Sequence, residues 1–492
     1  MTQASGLPGL ALLPSALAVV LIVLSRRRPA VRETWSILAA IAQTATVAAM
    51  IPSALSGTAL VWSPLTLAEG VPLVLRADAL GVFFATVASA LWVLTTVYSI
   101  GYTRALREHA QTRYFAAFAL SLFATVGLAL AGNFVTFFGF FEILTVATYP
   151  LVIHKETEEA ARAGRVYLAY TLTAGAALLG AVAWIHALAG RTDFEPGGIL
   201  AGQGATPAVL WGLFILCLLG CGVKAAIVPL HTWLPMAMIA PTPVSALLHA
   251  VAVVKAGVFG LVRVAGFIFG PQLLREIGAA EALAALALAT ILLGSLAALV
   301  QDNLKRLLAF STVSQLSYIV LGVALGGPDA FAGGVLHIAS HGLLKITLFF
   351  CAGALYVTTG VERISQMDGI GRRMPLTMAA FATAAFLLAG LPPGLAFASK
   401  WRLLRGAVEA HAWLAVATLA ASTVLNIAYF APIVARAFRG GGGAPMREAP
   451  LPMLAPLLIT AAAGLVLGVD PDAGARLWSL ARAVAASVGG AR

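Results

Sequence analysis

Four lysines sit where hydrocarbon should be. Lys224, Lys255, Lys345 and Lys400 lie in long apolar runs, and the chain has only six lysines in all. Arginine carries almost all of the remaining positive charge. The two residues differ in one respect that matters here. Arginine stays protonated in essentially any environment, whereas a buried lysine gains and loses a proton readily. Near the centre of an apolar span, such an amine is a proton carrier by default and a snorkelling anchor only near a span end. Lys255 and Lys345 are mid-span.

The other titratable residues fall around these amines. In FFGFFEILTVATYP, Glu142 is the carboxylate expected inside a span, and a lysine on a neighbouring helix is its natural partner. In GGVLHIASHGLLKITLFF, His337, His341 and Lys345 are spaced i, i+4, i+8 and share one helix stripe. His249 follows the segment CGVKAAIVPLHTWLP, which holds Lys224, Pro229, His231 and Pro235. Pro229 and Pro235 remove backbone donors and should break that helix; Pro392, Pro393 and Gly394 should break another just before Lys400. No carboxylate or cysteine completes a metal-ligand set with the histidines at useful spacing, so no metal is expected. His186, near a span end, reads as structural.

Composition supplies the frame. The chain has 492 residues, 60% of them hydrophobic and 10% charged. Soluble proteins carry about 25% charged residues. Apolar runs of spanning length recur throughout, so the expected fold is an all-α polytopic membrane protein. Fourteen spans are expected near 8–25, 34–53, 78–101, 114–131, 133–153, 163–188, 208–238, 242–268, 279–301, 304–323, 328–358, 375–406, 410–435 and 450–469, with a short hairpin over 57–77. The first run precedes its arginine cluster, unlike a signal peptide. Odd-numbered connections hold 18 basic residues and the opposite side six. The positive-inside rule then puts the odd loops in the cytoplasm and both termini outside, in a bacterial-type inner membrane. The net charge of +11 is this loop charge and implies no nucleic acid. Cys217, Cys221 and Cys351 form no CxxC set, and no GxGxxG loop occurs, so no cofactor is expected in this chain.

Two broken helices five spans apart, the seventh and the twelfth, mark an inverted repeat with an ion path at its interface. The expected division is 1–113 for three N-terminal spans with the hairpin, 114–268 and 279–437 for the two five-helix repeats, and 438–492 for the last helix and a short tail.

The segment VKAAIVPLHTWLPMAMIAPTPVSALLHAVAVVKAG resembles the signature of antiporter-like membrane subunits. These are shared by Mrp-type cation/proton antiporters, respiratory complex I and membrane-bound hydrogenases. FFEILTVATYPLV, QDNLKRLLAFSTVSQLSY and HGLLKITLFF match further blocks. The resemblance implies that Glu142 pairs with Lys224, that Lys255 bridges, that Lys345 and its histidines link, and that Lys400 ends the path. Lysine at that last position, with a chain that stops soon after the fourteenth span, is most similar to the D-type subunit of Mrp antiporters. It implies a proton-translocating subunit of a cation/proton antiporter, with other membrane subunits, lipid, protons and sodium or potassium as partners. The alternative is a proton-pumping membrane subunit of a complex I-like oxidoreductase or hydrogenase, whose redox chemistry would belong to other chains. The expected proton order is Lys224, Lys255, His249, His337, His341, Lys345, Lys400.

Overall fold

The structure is a computed structural model that describes residues 1–68, 71–440 and 445–489. Helices dominate it. Thirteen of those described are long and apolar enough to cross a membrane: Leu7–Leu24, Pro29–Leu55, Ala79–Ala105, Gln111–Ala129, Phe134–Val152, Glu158–Ala189, Pro207–Lys224, Thr242–Phe269, Ala279–Leu299, Leu304–Leu325, Pro328–Thr359, Trp413–Ala437 and Leu451–Val469. The twelfth of the expected spans falls between Pro328–Thr359 and Trp413–Ala437, as two short helices, Pro375–Ala389 and Leu395–Glu409. Counted together they make the fourteenth crossing.

Both expected breaks are present, and each begins earlier than its prolines. The seventh helix ends at Lys224, with Ala226 at φ 55°, and only a short turn of helix, Trp233–Met236, follows. The expected span 208–238 is therefore a helix and an irregular return. The twelfth stops at Ala389 with Gly390 at φ 110°, a left-handed value that glycine adopts without a Cβ clash. The eighth span is itself irregular. Wide π turns at Leu247–Val251 and Val264–Phe269 flank its regular part, Val253–Arg263. Such turns open the backbone ladder and concentrate at functional sites.

The inverted repeat is written in the caps. Asn133 caps the fifth span by accepting from Thr136 N at 2.8 Å, and Asn303 caps the tenth by accepting from Arg306 N at 3.1 Å. Each asparagine also forms an isolated antiparallel bridge, to Asp193 and to Arg363, just beyond the end of the next span. Those next spans, Glu158–Ala189 and Pro328–Thr359, are each 32 residues long and end on left-handed glycines, Gly190 and Gly360. The same local design thus occurs twice, once at each face of the bundle.

Contacts between loops sort the faces. Arg32 reaches Gln111 at 2.6 Å, Arg113 reaches Glu156 at 2.5 Å, Ser365 N donates to Asp302 at 2.8 Å, and Arg436 reaches the Ile364 carbonyl at 3.4 Å. Lys155, Arg162, Lys305 and Glu362 line one shared cavity. The arginine-rich connections therefore lie together. On the other face the hairpin forms strands Ala59–Ala68 and Val71–Ala77, and Thr2–Ala4 adds a parallel third strand that hydropathy does not reveal. The expected short tail holds a further element. Leu477–Gly489 is an amphipathic helix that buries Leu477, Leu480, Ala481, Val484, Ala485 and Val488, too short to register as a span.

The third and eighth spans are tied by a buried ion pair. Asp78 caps the third span through Gly81 N at 2.8 Å, and its two oxygens accept from Arg263 at 2.6 and 2.8 Å. The Arg263 side chain is fully buried, with the rings of Phe194, Phe259 and Phe267 about its guanidinium. Removing one partner of such a pair leaves a buried charge and costs about 3–5 kcal/mol, whereas replacing both can be close to neutral. Arg263→Ala should therefore lower the unfolding temperature in detergent sharply. The double variant Asp78→Leu/Arg263→Met should recover most of that loss.

Candidate functional site

The eighth and eleventh spans are wholly buried across their most apolar windows, and the tenth nearly so. The eighth and eleventh carry His249, Lys255, His337, His341 and Lys345, and the tenth packs beside them. The polar residues are thus on the central helices, surrounded by spans that face outward.

Each amine finds an acceptor. Lys224 Nζ donates to the Phe141 carbonyl at 2.5 Å and lies 3.3 Å from the centroid of the Phe141 ring. Lys255 Nζ meets His341 Nδ1 at 2.8 Å. Lys345 Nζ donates to Ser311 Oγ at 2.9 Å and the Leu308 carbonyl at 3.3 Å. Lys400 Nζ donates to the Leu388 and Ala389 carbonyls at 2.9 and 3.1 Å. Those two carbonyls end the first half of the twelfth span, where helical partners run out and the helix dipole favours a cation. The break therefore makes the site for Lys400.

The histidines build outward from Lys255. A protonated Lys255 donates to His341 Nδ1, which leaves that ring's hydrogen on Nε2. The ring of His337 lies 6.3 Å away, centroid to centroid. His337 Nε2 meets Gln315 Oε1 at 3.0 Å, and Nδ1 meets Ser399 Oγ at 2.9 Å and Ser340 Oγ at 3.2 Å. Gln315 Nε2 donates to Asn426 Oδ1 at 3.3 Å, and Asn426 is bonded by Tyr429, whose hydroxyl lies 3.0 Å from Ser311 Oγ. Ser311 receives Lys345. One continuous hydrogen-bonded path therefore runs from His337 through Gln315, Asn426, Tyr429 and Ser311 to Lys345. The ring of Tyr318 stacks on His337 at 5.2 Å and has Lys400 Nζ 4.7 Å from its centroid.

Three expectations need revision. Among the described residues, Glu142 makes no ion pair with Lys224. The inward carbonyl of the preceding residue takes the amine, while the Glu142 side chain turns toward the sixth span, half-buried over Gly175, with Oε1 unpartnered. Lys345 does not stand between the histidines and Lys400. It ends a side branch, and His337 itself contacts the Lys400 helix, through Ser399. His249 is fully buried in the first π turn, but neither ring nitrogen has a protein partner, and its ring packs on Phe349 at 4.9 Å. Among the described residues, no hydrogen bond joins Lys224 to Lys255. His231 is half-buried beside a cavity of about 570 Å³ that opens on the arginine-rich face below the seventh-span break.

Gln315, Asn426, Tyr429, Ser311, Ser399 and Tyr318 are members of the site that sequence reasoning misses. Gln315 and Asn426 carry the available signal, as amides in the interiors of apolar spans.

The family described as NADH:quinone oxidoreductase/Mrp antiporter, TM, matches residues 131–426. This chain belongs to that family. Among curated relatives, NADH-quinone oxidoreductase subunit N of Desulforudis audaxviator is 35% identical over 395 residues, 76% of this chain and 77% of that protein. A probable K(+)/H(+) antiporter subunit of Rhizobium meliloti, of the A/B type, is 33% identical over 82% of this chain, which spans only 40% of that longer protein. Among solved structures, a chain of the Mrp complex from Dietzia sp. superposes with a TM-score of 0.88 at 24% identity, over 98% of this chain and 97% of that one. A chain of an archaeal membrane-bound sulfane sulfur reductase superposes at 0.86, also at 24% identity, over 98% of each chain. The fourteen-crossing architecture of this antiporter-family subunit, with its broken seventh and twelfth helices, is thus a shared fold.

The branch through Gln315 is open to a direct test. Gln315→Leu removes the acceptor of His337 Nε2 and the donor to Asn426, leaving buried polar groups unpaired at about 1–3 kcal/mol. Ion transport by the complex in vesicles should slow about tenfold or more, while assembly is retained.

Proposed function

We propose that this chain moves protons laterally through the bilayer as a membrane subunit of a multisubunit Mrp-type monovalent cation/proton antiporter. The observation that carries the reading is the succession of buried amines and imidazoles along the bundle, each amine held by an uncharged acceptor. Neutral acceptors hold an amine in either protonation state, which a permanent ion pair would not. The same reading takes residues 114–268 and 279–437 as two functional halves, with Lys224 and Lys400 beside their respective breaks. It places the arginine-rich face in the cytoplasm of a bacterial-type inner membrane and both termini outside. Sodium or potassium is the exchanged cation.

In this mechanism Glu142 and Lys224 act as a loose pair. Bringing a carboxylate toward an amine, or removing it, changes the amine's proton affinity by about 1.4–4 kcal/mol. That is comparable with the ~2.3 kcal/mol needed to move one charge through 100 mV. When the pair separates, Lys224 releases its proton toward Lys255. His341 accepts at Nδ1 and releases at Nε2, and His337 passes the proton toward Lys400, while Gln315 and Asn426, whose Oδ1 accepts from both Gln315 and Tyr429, hold His337 and Lys345 in place. The breaks at Pro229, Pro235, Pro392 and Pro393 supply free carbonyls and room for water at each end.

A second reading is a proton-pumping membrane subunit of a complex I-like oxidoreductase. The relative from Desulforudis audaxviator favours it. Both readings use the same relay, and they separate on what drives it. Everted vesicles that collapse a proton gradient on addition of sodium or potassium support the antiporter. Vesicles that acidify only on quinone reduction by NADH support the oxidoreductase.

The relay itself is tested at Lys224. Lys224→Ala should abolish transport. Lys224→Arg should fail as well, because guanidinium keeps its proton. Normal proton movement by an assembled Lys224→Ala complex would refute the mechanism.

A further inference from the structure

A second cluster of titratable groups lies outside the relay, on the arginine-rich face. The loop between the third and fourth spans presents Glu108 and His109. The turn after the fifth span presents His154 and Glu156. One ligand atom each from Glu108, His109 and His154 falls within 4.8 Å of the others. His154 Nε2 is 3.6 Å from Glu108 Oε2, too long for a hydrogen bond. The rings of His109 and His154 stack at 4.8 Å. Glu156 Oε1 lies 3.9 Å from His109 Nε2 and also takes Arg113 at 2.5 Å.

The state of His154 points to a ligand. Its side chain is fully buried, and neither ring nitrogen has a hydrogen-bond partner. Buried polar groups without partners are rare in folded proteins, and this one has a carboxylate oxygen and a ligand nitrogen of a second imidazole within 4.8 Å. The sequence hides this set. Glu108 and His109 are adjacent, but His154 lies beyond two further spans, so no spacing motif connects them.

We infer that Glu108, His109 and His154 form a binding site for a borderline divalent transition metal ion, with Zn²⁺ as the fitting probe. Two imidazoles and one carboxylate suit zinc and its neighbours, whereas magnesium and calcium select oxygen ligands. Zinc bonds of about 2.0–2.2 Å require these side chains to draw together and the two imidazoles to turn out of their stack so that their nitrogens converge. His109 is about half exposed, which gives the ion a way in. Water or Glu156, if released by Arg113, completes a tetrahedral set. Arg113 and Lys155 are nearby cations that oppose the ion, and the two glutamates offset them. The bound ion would fasten the loop between the third and fourth spans to the end of the fifth span, the helix that carries Glu142 and the Phe141 carbonyl.

The test uses the full chain purified in detergent and stripped of metal, titrated with Zn²⁺ against a chromophoric chelator. One Zn²⁺ per chain is expected to bind tightly, with millimolar Mg²⁺ unable to compete. His109→Ala alters an exposed side chain and should leave folding intact while weakening that site about tenfold or more. His154→Ala and Glu108→Gln should each weaken it further. X-ray absorption at the zinc edge should report nitrogen and oxygen neighbours including two imidazoles. Zinc binding that is weak, or that is unchanged in all three variants because other surface histidines hold the ion, would overturn the assignment.

Discussion

An ammonium group in hydrocarbon must be met by an acceptor, and four such groups shape this protein's interior. Lys255, Lys345 and Lys224 are fully buried and Lys400 nearly so. Their partners are helix carbonyls, a serine and an imidazole, and among the described residues no carboxylate lies within ion-pair distance of any of them. A full buried charge on each would be very costly. In the proposed relay, a set of amines that share few protons among neutral acceptors would avoid that cost and leave the protons free to move.

Several irregularities follow from this need. The twelfth span breaks where Lys400 requires free carbonyls. The eighth span bends through π turns beside His249 and brings Gly257 against the break at Lys224. A Cβ on Gly257 would fall 2.5 Å from the Lys224 carbonyl carbon, so only glycine permits the approach. Gly175 leaves the room that the Glu142 carboxylate occupies, since an added Cβ there would lie 2.7 Å from Oε1 and displace it. Permanent charges are treated differently. Arg263 cannot lose its proton, and it is matched with a two-oxygen carboxylate at the end of a span, where it serves as a fastening between helices.

Much of this was legible in the sequence because hydropathy and proline act locally. Span count, both breaks, the repeat and the identity of the buried amines follow from residue types and their order. The detailed connections do not. Whether Glu142 reaches Lys224 depends on how its helix is rotated, and the rotation presents the Phe141 carbonyl instead. The path to Lys345 needs the tenth and thirteenth spans side by side, a long-range fact that brings Gln315 beside Asn426. The tail helix Leu477–Gly489 is too short to register as a span, although its apolar residues keep helical spacing, and the strand Thr2–Ala4 is too short to give a periodic signal.

The central claim is that hydrogen ions cross the bundle along these buried groups. It is most exposed between Lys224 and Lys255, where no hydrogen bond among the described residues makes the connection. A structure of the assembled complex at a resolution that shows ordered water tests it most directly. Proton passage along these groups requires a file of bound water joining the two amines, and another beside His341 and His337. A dry, tightly packed apolar barrier across either gap would contradict it.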